Sequence, residues 1–237
     1  MSLDRNPGRV AGLLYLFLVI LGPLRLIYIP NKLFVAGNAA STVNNIAAHE
    51  TLFRLGIAAD LGGAVILVFL TLSFYRLFEG VDRNLAAQVV IFGGIMPALI
   101  YLVAVVSDFG VLMIVRGAAF LSAFDKPQQQ ALAVLFLKLR DAQNTAAESL
   151  WGLWLFPLGF LVYRSRFLPR FLGVWLTING IAYLTLSFTG ILVPEYQNKV
   201  FTFGQPAFFG ELALMLWLLI KGASPAATVA AISPKAG

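Results

Sequence analysis

Three carboxylates stand within long apolar stretches of this sequence, namely Asp60, Glu148 and Glu211, and Arg54 shares its stretch with Asp60. An ionisable side chain inside a segment of membrane-spanning length is costly. Such groups commonly serve in ligand binding, ion passage or proton transfer. These four residues are therefore candidates for the binding of a small molecule or a lipid, and Glu211 is the candidate proton acceptor.

Counting along the helices predicts the depth of each carboxylate. Asp60 lies 16 residues before Arg76, and Glu148 lies 16 residues before Arg164. At 1.5 Å per residue, both carboxylates are expected about 24 Å from the same membrane boundary. Glu211 is expected closer to the midplane. Asp60 and Glu148 are thus predicted to face each other at one level.

Helical spacing places other polar side chains near these carboxylates. Asn144 lies one turn before Glu148 on the same face, and Gly56 lies one turn before Asp60. Small residues around Asp60 would let neighbouring helices pack closely. Together, these patterns predict an outward-opening polar cavity lined by Arg54, Asp60, Asn144, Glu148, Asn179 and Glu211.

Three other interpretations of the same residues stay open. Asp60, Glu148 and Arg54 could form a buried ion-pair network that fixes helix register, since structural networks also contain perturbed ionisable groups. The chain could be a scaffold subunit of a membrane complex. It could also be a membrane enzyme that uses its carboxylates for acid/base chemistry or for a divalent cation. Glu50, four residues before Arg54, is well placed to pair with that arginine.

The composition restricts both the environment and the chemistry. Of 237 residues, 59% are hydrophobic and 12% are charged, whereas soluble domains carry about 25% charged residues. The expected surroundings are therefore a lipid bilayer. With no cysteine and with His49 as the single histidine, thiolate sites and multi-histidine metal centres are excluded, and no metal or cofactor is expected. The basic residues behind the net charge of +6 are dispersed, which argues against nucleic acid as a partner.

Six apolar segments are long enough to cross about 30 Å of hydrocarbon as helices. They cover residues 10–29, 52–74, 85–106, 142–163, 171–192 and 203–220. Apolar character continues beyond Asp108 to Phe124, which is more than one straight span can use. A bend near residues 107–110 is therefore expected, followed by a short interfacial or re-entrant helix at residues 111–121. Residues 128–140 are expected to form an amphipathic approach to the fourth span.

The predicted fold is an all-α transmembrane bundle over residues 1–222, followed by a disordered tail at residues 223–237. Six spans put both termini on one side, and the side richer in Lys and Arg is normally cytoplasmic. Nine basic residues are assigned to the side of the termini: Arg5, Arg9, Arg76, Arg83, Arg164, Arg166, Arg170, Lys221 and Lys235. Six are assigned to the other side: Arg25, Lys32, Lys126, Lys138, Arg140 and Lys199. Both termini are therefore expected in the cytoplasm.

Several strings resemble an uncharacterised family of bacterial multi-helix membrane proteins defined only as a domain of unknown function. The most specific is Tyr163-Arg164-Ser165, followed by Leu168-Pro169-Arg170 and Leu172-Gly173; others lie at residues 52–61, 81–86 and 210–222. The resemblance covers nearly the whole chain and implies a bacterial inner-membrane protein. It draws attention to Arg54, Asp60 and Glu211, and it implies no particular activity.

Overall fold

The computed structural model describes residues 6–224, which form an all-α structure. Its α-helices are α1 (Pro7–Leu33), α2 (Ala39–Ala48), α3 (Glu50–Phe78), α4 (Arg83–Val115), α5 (Lys126–Leu153), α6 (Leu155–Arg164), α7 (Arg170–Leu192) and α8 (Gln197–Ile220). α1 contains a π-helical segment at Leu24–Tyr28, and α4 contains one at Val90–Ile95. Short 3₁₀ turns lie at Ala119–Ala123 and Pro194–Tyr196.

Six helical segments are long and apolar enough to cross a bilayer, which confirms the predicted all-α, six-span architecture. They are α1, α3, α4, α5 together with α6, α7, and α8 with the 3₁₀ turn before it. Each has at least 23 residues, more than the roughly 20 that a span requires. Length and hydrophobicity therefore predict the number of spans correctly.

The spanning helices form a closed ring in chain order. α1 packs on α3, α3 on α4, α4 on α5, α5 and α6 on α7, and α7 on α8, while α8 returns to α1. We call the side of the ring that holds Asn6 and the 79–82 and 165–169 connections the terminal face. The side that holds α2 and the 116–125 connection is called the opposite face. The short α2 packs against α5 at the opposite face.

Two apolar clusters fill the ring. The cluster nearer the terminal face contains Phe74, Phe78, Trp154 and Leu158, all at most 4% exposed. The cluster at the opposite face, which we call the apolar cap, is a larger set drawn from α1, α2, α3, α4, α5 and the Ala119–Ala123 turn. Its buried members are Ile29, Leu33, Ile46, Phe53, Ile57, Val105, Val111, Leu112, Ile114, Leu121, Ala133 and Leu137.

Local signals define the start of α5. Asp125 is the N-cap residue, and its carboxylate accepts a hydrogen bond from the Gln128 backbone amide at 2.8 Å. The Gln128 side chain accepts from the Asp125 amide at 3.0 Å, which completes a capping box. Pro127 lies in the first turn, where its missing N–H leaves no bond unmade.

The expected bend near residues 107–110 is wrong. α4 continues without interruption through Asp108 and Gly110 to Val115, so residues 111–115 extend that span. The predicted helix at 111–121 is wrong as well, because a turn separates Val115 from the Ala119–Ala123 turn. The end of α4 lies level with the start of α3, where Arg116 pairs with Glu50, and Val111, Leu112 and Ile114 join the apolar cap.

The ends of two other spans also differ from the prediction. α1 extends to Leu33 instead of ending at Ile29. The predicted approach at residues 128–140 is the first part of α5, continuous with the fourth span. At the other end, the Gly8 amide donates to the Ala223 carbonyl at 3.0 Å and anchors the end of α8 to the start of α1. Residues 225–237, most of the predicted disordered tail, lie outside the described residues.

Candidate functional site

Asp60 lies in a compact group of four charged side chains, which we call the four-charge cluster: Arg25, Asp60, Asp108 and Arg140. Arg25 Nε lies 2.7 Å from Asp60 Oδ2, and Arg25 Nη2 donates to Asp108 Oδ2. Arg140 Nη2 lies 3.5 Å from Asp60 Oδ2, and Arg140 Nε lies 3.4 Å from Asp108 Oδ2. All four residues are at most 4% exposed. Each arginine thus contacts both aspartates.

Four different helices position this cluster. Arg25 lies in the π-helical segment of α1, Asp60 in α3, Asp108 in α4 and Arg140 in α5. Gly56 makes room for Arg25, because a Cβ atom at that position would lie 3.3 Å from Arg25 Nη1. The predicted small-residue face of α3 therefore accommodates a guanidinium group as well as a helix.

The cluster is electrically balanced and sealed. Two arginines face two aspartates, so a buried group of four charges has no net charge. The apolar cap lies between it and the opposite face. Breaking such a network is costly, because a buried charge loses its partner. This arrangement is suited to holding α1, α3, α4 and α5 together, which is the structural interpretation considered from the sequence.

The membership of that structural network was predicted incorrectly. It was expected to join Asp60 to Glu148 and Arg54, but Arg54 instead pairs with Glu50 at 2.6 Å, as its spacing indicated. Glu50 also pairs with Arg116 at 2.8 Å, and these three residues are partly exposed near the opposite face. The partners of Asp60 in this cluster are Arg25 and Arg140, which the sequence analysis counted only as basic residues of the opposite side.

Asp60 and Glu148 do not lie at one level, contrary to the prediction. Asp60 contacts Arg140, which precedes Glu148 by two turns of α5, or about 12 Å. Counting residues gave the wrong depth because Arg76 and Arg164, from which the two counts started, lie at different heights in the ring. Arg164 reaches Asp82, beyond the end of α3, whereas Arg76 lies inside that helix. Glu148 therefore lies nearer the terminal face than the four-charge cluster does.

Glu211 belongs to a second polar group, formed with Tyr15, Asn179 and Tyr183, which we call the carboxylate–tyrosine cluster. The Tyr15 hydroxyl of α1 donates to Glu211 Oε1, and Asn179 Nδ2 of α7 lies 3.4 Å from Glu211 Oε2. Tyr183, one turn after Asn179, lies beside the same carboxylate. Within residues 6–224, Glu211 has no Lys, Arg or His in salt-bridge contact.

Glu148 adjoins the carboxylate–tyrosine cluster. It faces α7, where Tyr183 lies close to it, and its Oε2 atom is buried without a hydrogen-bond partner. Asn144 lies between Arg140 and Glu148 on α5 and is half-buried. Like Glu211, Glu148 has no cationic partner in the described part of the chain. Two uncompensated carboxylates therefore share this region.

Tyr101 stands between the two polar groups. It lies on the face of α4 that carries Asp108, two turns away, and is within electrostatic reach of Asp60, Arg140 and Glu211. The sequence reasoning missed this residue, and it missed Tyr15, Arg25, Asp108 and Arg140 as members of a site. A charge inside the apolar stretch 10–29 was a usable signal for Arg25, because such charges are rare there.

The structure buries two of the six residues predicted to line an outward-opening cavity. Asp60 is 4% exposed and Asn179 is fully buried, whereas Arg54, Asn144, Glu148 and Glu211 are partly exposed. The apolar cap covers Asp60 from the opposite face. Two surface depressions lie elsewhere, one at residues 47–55 and one between α7 and α8 near Trp175 and Trp217. Within residues 6–224, no three His, Asp or Glu side chains are placed to hold a metal ion.

Comparison with known proteins identifies a family but no activity. A family model described as "Domain of unknown function (DUF4386)" matches residues 10–222. The chain is also 39% identical over 75 residues to an uncharacterised protein of Archaeoglobus fulgidus. That match covers 30% of this chain and 41% of the relative, so less than half of the relative's length is aligned. No solved structure matches the chain.

Proposed function

The chain belongs to the family of DUF4386 proteins, and we propose that it is a membrane carrier that couples the binding of a small molecule to protonation of Glu211. The observation that supports this proposal is the chemistry around Glu211. Its carboxylate meets neutral donors from Tyr15 and Asn179 and no cation within the described residues. A carboxylate kept inside a membrane without a counter-ion is characteristic of proton-transfer sites.

The carrier proposal shifts the ligand site away from two of the predicted residues. Arg54 and Asp60 are each occupied by ion pairs, so they offer no free charge to a ligand. Glu148 and Glu211 remain available, with Asn144 and Asn179 beside them. We assign ligand contact to Glu148, which is half-buried, and proton binding to Glu211, which has the fuller set of hydrogen-bond donors.

Alternating access gives a reason for the burial of Asp60 and Asn179. A carrier opens to one side of the membrane at a time, and its substrate site is occluded between these states. The apolar cap covers the ends of α1 to α5 at the opposite face. In our proposal, movement of α2 and the Ala119–Ala123 turn away from α5 opens the path from that face.

We also propose that the protein resides in the cell inner membrane with both termini in the cytoplasm. Seven of the described Lys and Arg residues lie toward the terminal face: Arg9, Arg76, Arg83, Arg164, Arg166, Arg170 and Lys221. Six lie toward the opposite face, namely Lys32, Arg54, Arg116, Lys126, Lys138 and Lys199, while Arg25 and Arg140 are buried. An excess of basic residues marks cytoplasmic loops. Reporter fusions after Lys221 and within residues 34–38 would test this orientation.

Reconstitution tests the carrier proposal. Proteoliposomes containing a trapped pH-sensitive dye receive three probes of similar size and different charge: 2-phenylethylammonium, phenylacetate and 2-phenylethanol. We expect at least one probe to drive proton movement above that of protein-free liposomes, and we expect Glu211→Gln to abolish it. If no probe moves protons through the wild-type protein, or if the Glu211→Gln protein behaves like wild type, the proposal is wrong.

A further inference from the structure

The region around Glu148 and Glu211 has unsatisfied groups of one kind. Glu148 Oε2 and Asn179 Oδ1 are both buried oxygen atoms without a hydrogen-bond partner. Asn179 is fully buried, and its amide nitrogen is directed at Glu211. Buried polar atoms are almost always satisfied, so unpartnered ones call for an explanation. Both atoms are acceptors, so the missing partner is a hydrogen-bond donor.

The charge balance of the same region indicates that the missing hydrogen-bond donor carries a positive charge. The four-charge cluster has no net charge, whereas Glu148 and Glu211 have no cation in contact with them among residues 6–224. The other titratable groups that face them are tyrosines, namely Tyr15, Tyr101 and Tyr183. An anionic ligand would be repelled here, while a cation would provide the charge that the carboxylates lack.

A row of aromatic rings passes the carboxylates and continues along α8 toward the opposite face. Trp151, one turn after Glu148, meets Tyr183 edge to face with ring centroids 6.0 Å apart. Tyr183 contacts Phe208 at 4.7 Å, and Phe208 stacks on Phe201 at 5.8 Å. Phe208 lies one turn before Glu211 on α8, and Phe201 is exposed near the start of that helix. Aromatic faces attract ammonium groups through their quadrupoles.

From these three observations we propose that the chain binds a hydrophobic protonated amine between α5, α7 and α8. The ammonium group donates to Glu148 Oε2, and the apolar part of the amine lies against Trp151, Tyr183 and Phe208. This inference rests on the proposed carrier function and specifies its substrate class. A proton and the ammonium group compete for the same carboxylates, so the amine and protons exchange.

Binding of matched probes to the purified protein tests this inference. Isothermal titration calorimetry in detergent at neutral pH compares 2-phenylethylammonium with 2-phenylethanol, which has similar size and a hydroxyl donor but no charge. We expect the ammonium to bind at least tenfold more tightly, because only the cation compensates the carboxylates. Titrations in two buffers of different ionisation enthalpy are expected to show proton release on binding.

Glu148→Gln and a matched control variant complete the experiment. Loss of one member of a buried, hydrogen-bonded charge pair is expected to weaken ammonium binding on the order of thirtyfold. Glu79→Gln makes the same change at an exposed carboxylate near the terminal face and is expected to leave binding unchanged. Circular dichroism and gel filtration verify that each variant is folded.

The outcomes separate this inference from the carrier proposal. Equal binding of the two probes by the wild-type protein, absence of ammonium binding, or unchanged affinity in a folded Glu148→Gln variant each contradict the amine site. The wild-type comparison decides the matter even if Glu148→Gln does not fold. Selective ammonium binding without coupled proton movement in proteoliposomes would support the amine site and contradict the carrier proposal.

Discussion

The two buried polar groups of this protein differ in how their charge is compensated. In the four-charge cluster, two arginines and two aspartates from four helices neutralise one another. In the carboxylate–tyrosine cluster, Glu211 is held by neutral donors, and Glu148 nearby has an oxygen without a partner. In the first arrangement the charges cancel, although Arg25 Nη1, Asp108 Oδ1 and Arg140 Nε have no hydrogen-bond partner. The second is incomplete without a proton or a cation, so the comparison separates a structural site from a candidate functional one.

The largest effect is expected from breaking the four-charge cluster. Asp60→Asn removes one negative charge and leaves the two arginines sharing Asp108, at an expected cost of about 3–5 kcal/mol in the free energy of unfolding. Thermal or denaturant unfolding of the purified protein in detergent measures the loss. Glu50→Gln, which changes a partly exposed ion pair, serves as the control and should cost far less. Unfolding of Asp60→Asn at the wild-type midpoint would show that the cluster has no structural role.

A double variant sharpens this prediction. Asp60→Asn combined with Arg140→Gln removes one charge of each sign from the cluster, so the remaining Arg25 and Asp108 still neutralise each other. We expect the double variant to be more stable than the sum of the two single changes predicts, by about 0.5–3 kcal/mol of coupling free energy. The same unfolding assay measures this coupling. Simple additivity would mean that the charges do not act as a unit.

A change in helix packing is expected to have an intermediate effect and to act on the second cluster. α5 and α7 cross closely at Gly152 and Gly180, and a Cβ atom at Gly180 would lie 2.8 Å from the Gly152 carbonyl oxygen. Gly180→Ala is expected to cost about 1–3 kcal/mol through overpacking. Because Gly180 follows Asn179, the change should also weaken ammonium binding while leaving the four-charge cluster intact. Wild-type stability together with wild-type binding would contradict this packing account.

The smallest effect on stability is expected for Glu211→Gln. Glutamine has nearly the same shape, retains an acceptor for Tyr15, and leaves no buried cation without a partner, so the expected change is below about 1 kcal/mol. Unfolding curves recorded beside those of Asp60→Asn provide the test. A loss as large as that of Asp60→Asn would place Glu211 in the structural framework and remove the contrast between the clusters.

The sequence predicts the number of spans and several unusual residues, and what it does not predict has a physical cause. Apolar length predicts six spans, and the rarity of charge inside them identifies Asp60, Glu148 and Glu211 as unusual. Hydropathy carries no information on pairing, so Arg25 and Arg140 were counted as basic residues of the opposite side although buried aspartates neutralise them.

Contacts between helices were the other missing information. The spacing of Glu50 and Arg54 within one helix predicts their pair correctly, because helical geometry is local. The meeting of Tyr15 with Glu211 joins α1 to α8, at the two ends of the chain. Nothing in the periodicity of either helix indicates that the ring closes there.

Infrared spectroscopy tests the central claim most directly. A protonated carboxylic acid has a C=O stretching band that an ionised carboxylate lacks, so a pH titration of the purified protein in detergent can follow proton binding at a single residue. We predict a band that appears as pH falls, is lost in Glu211→Gln and is retained in Glu79→Gln. A band that is unchanged in Glu211→Gln would show that Glu211 is not the protonated group and would contradict the distinction between the two clusters.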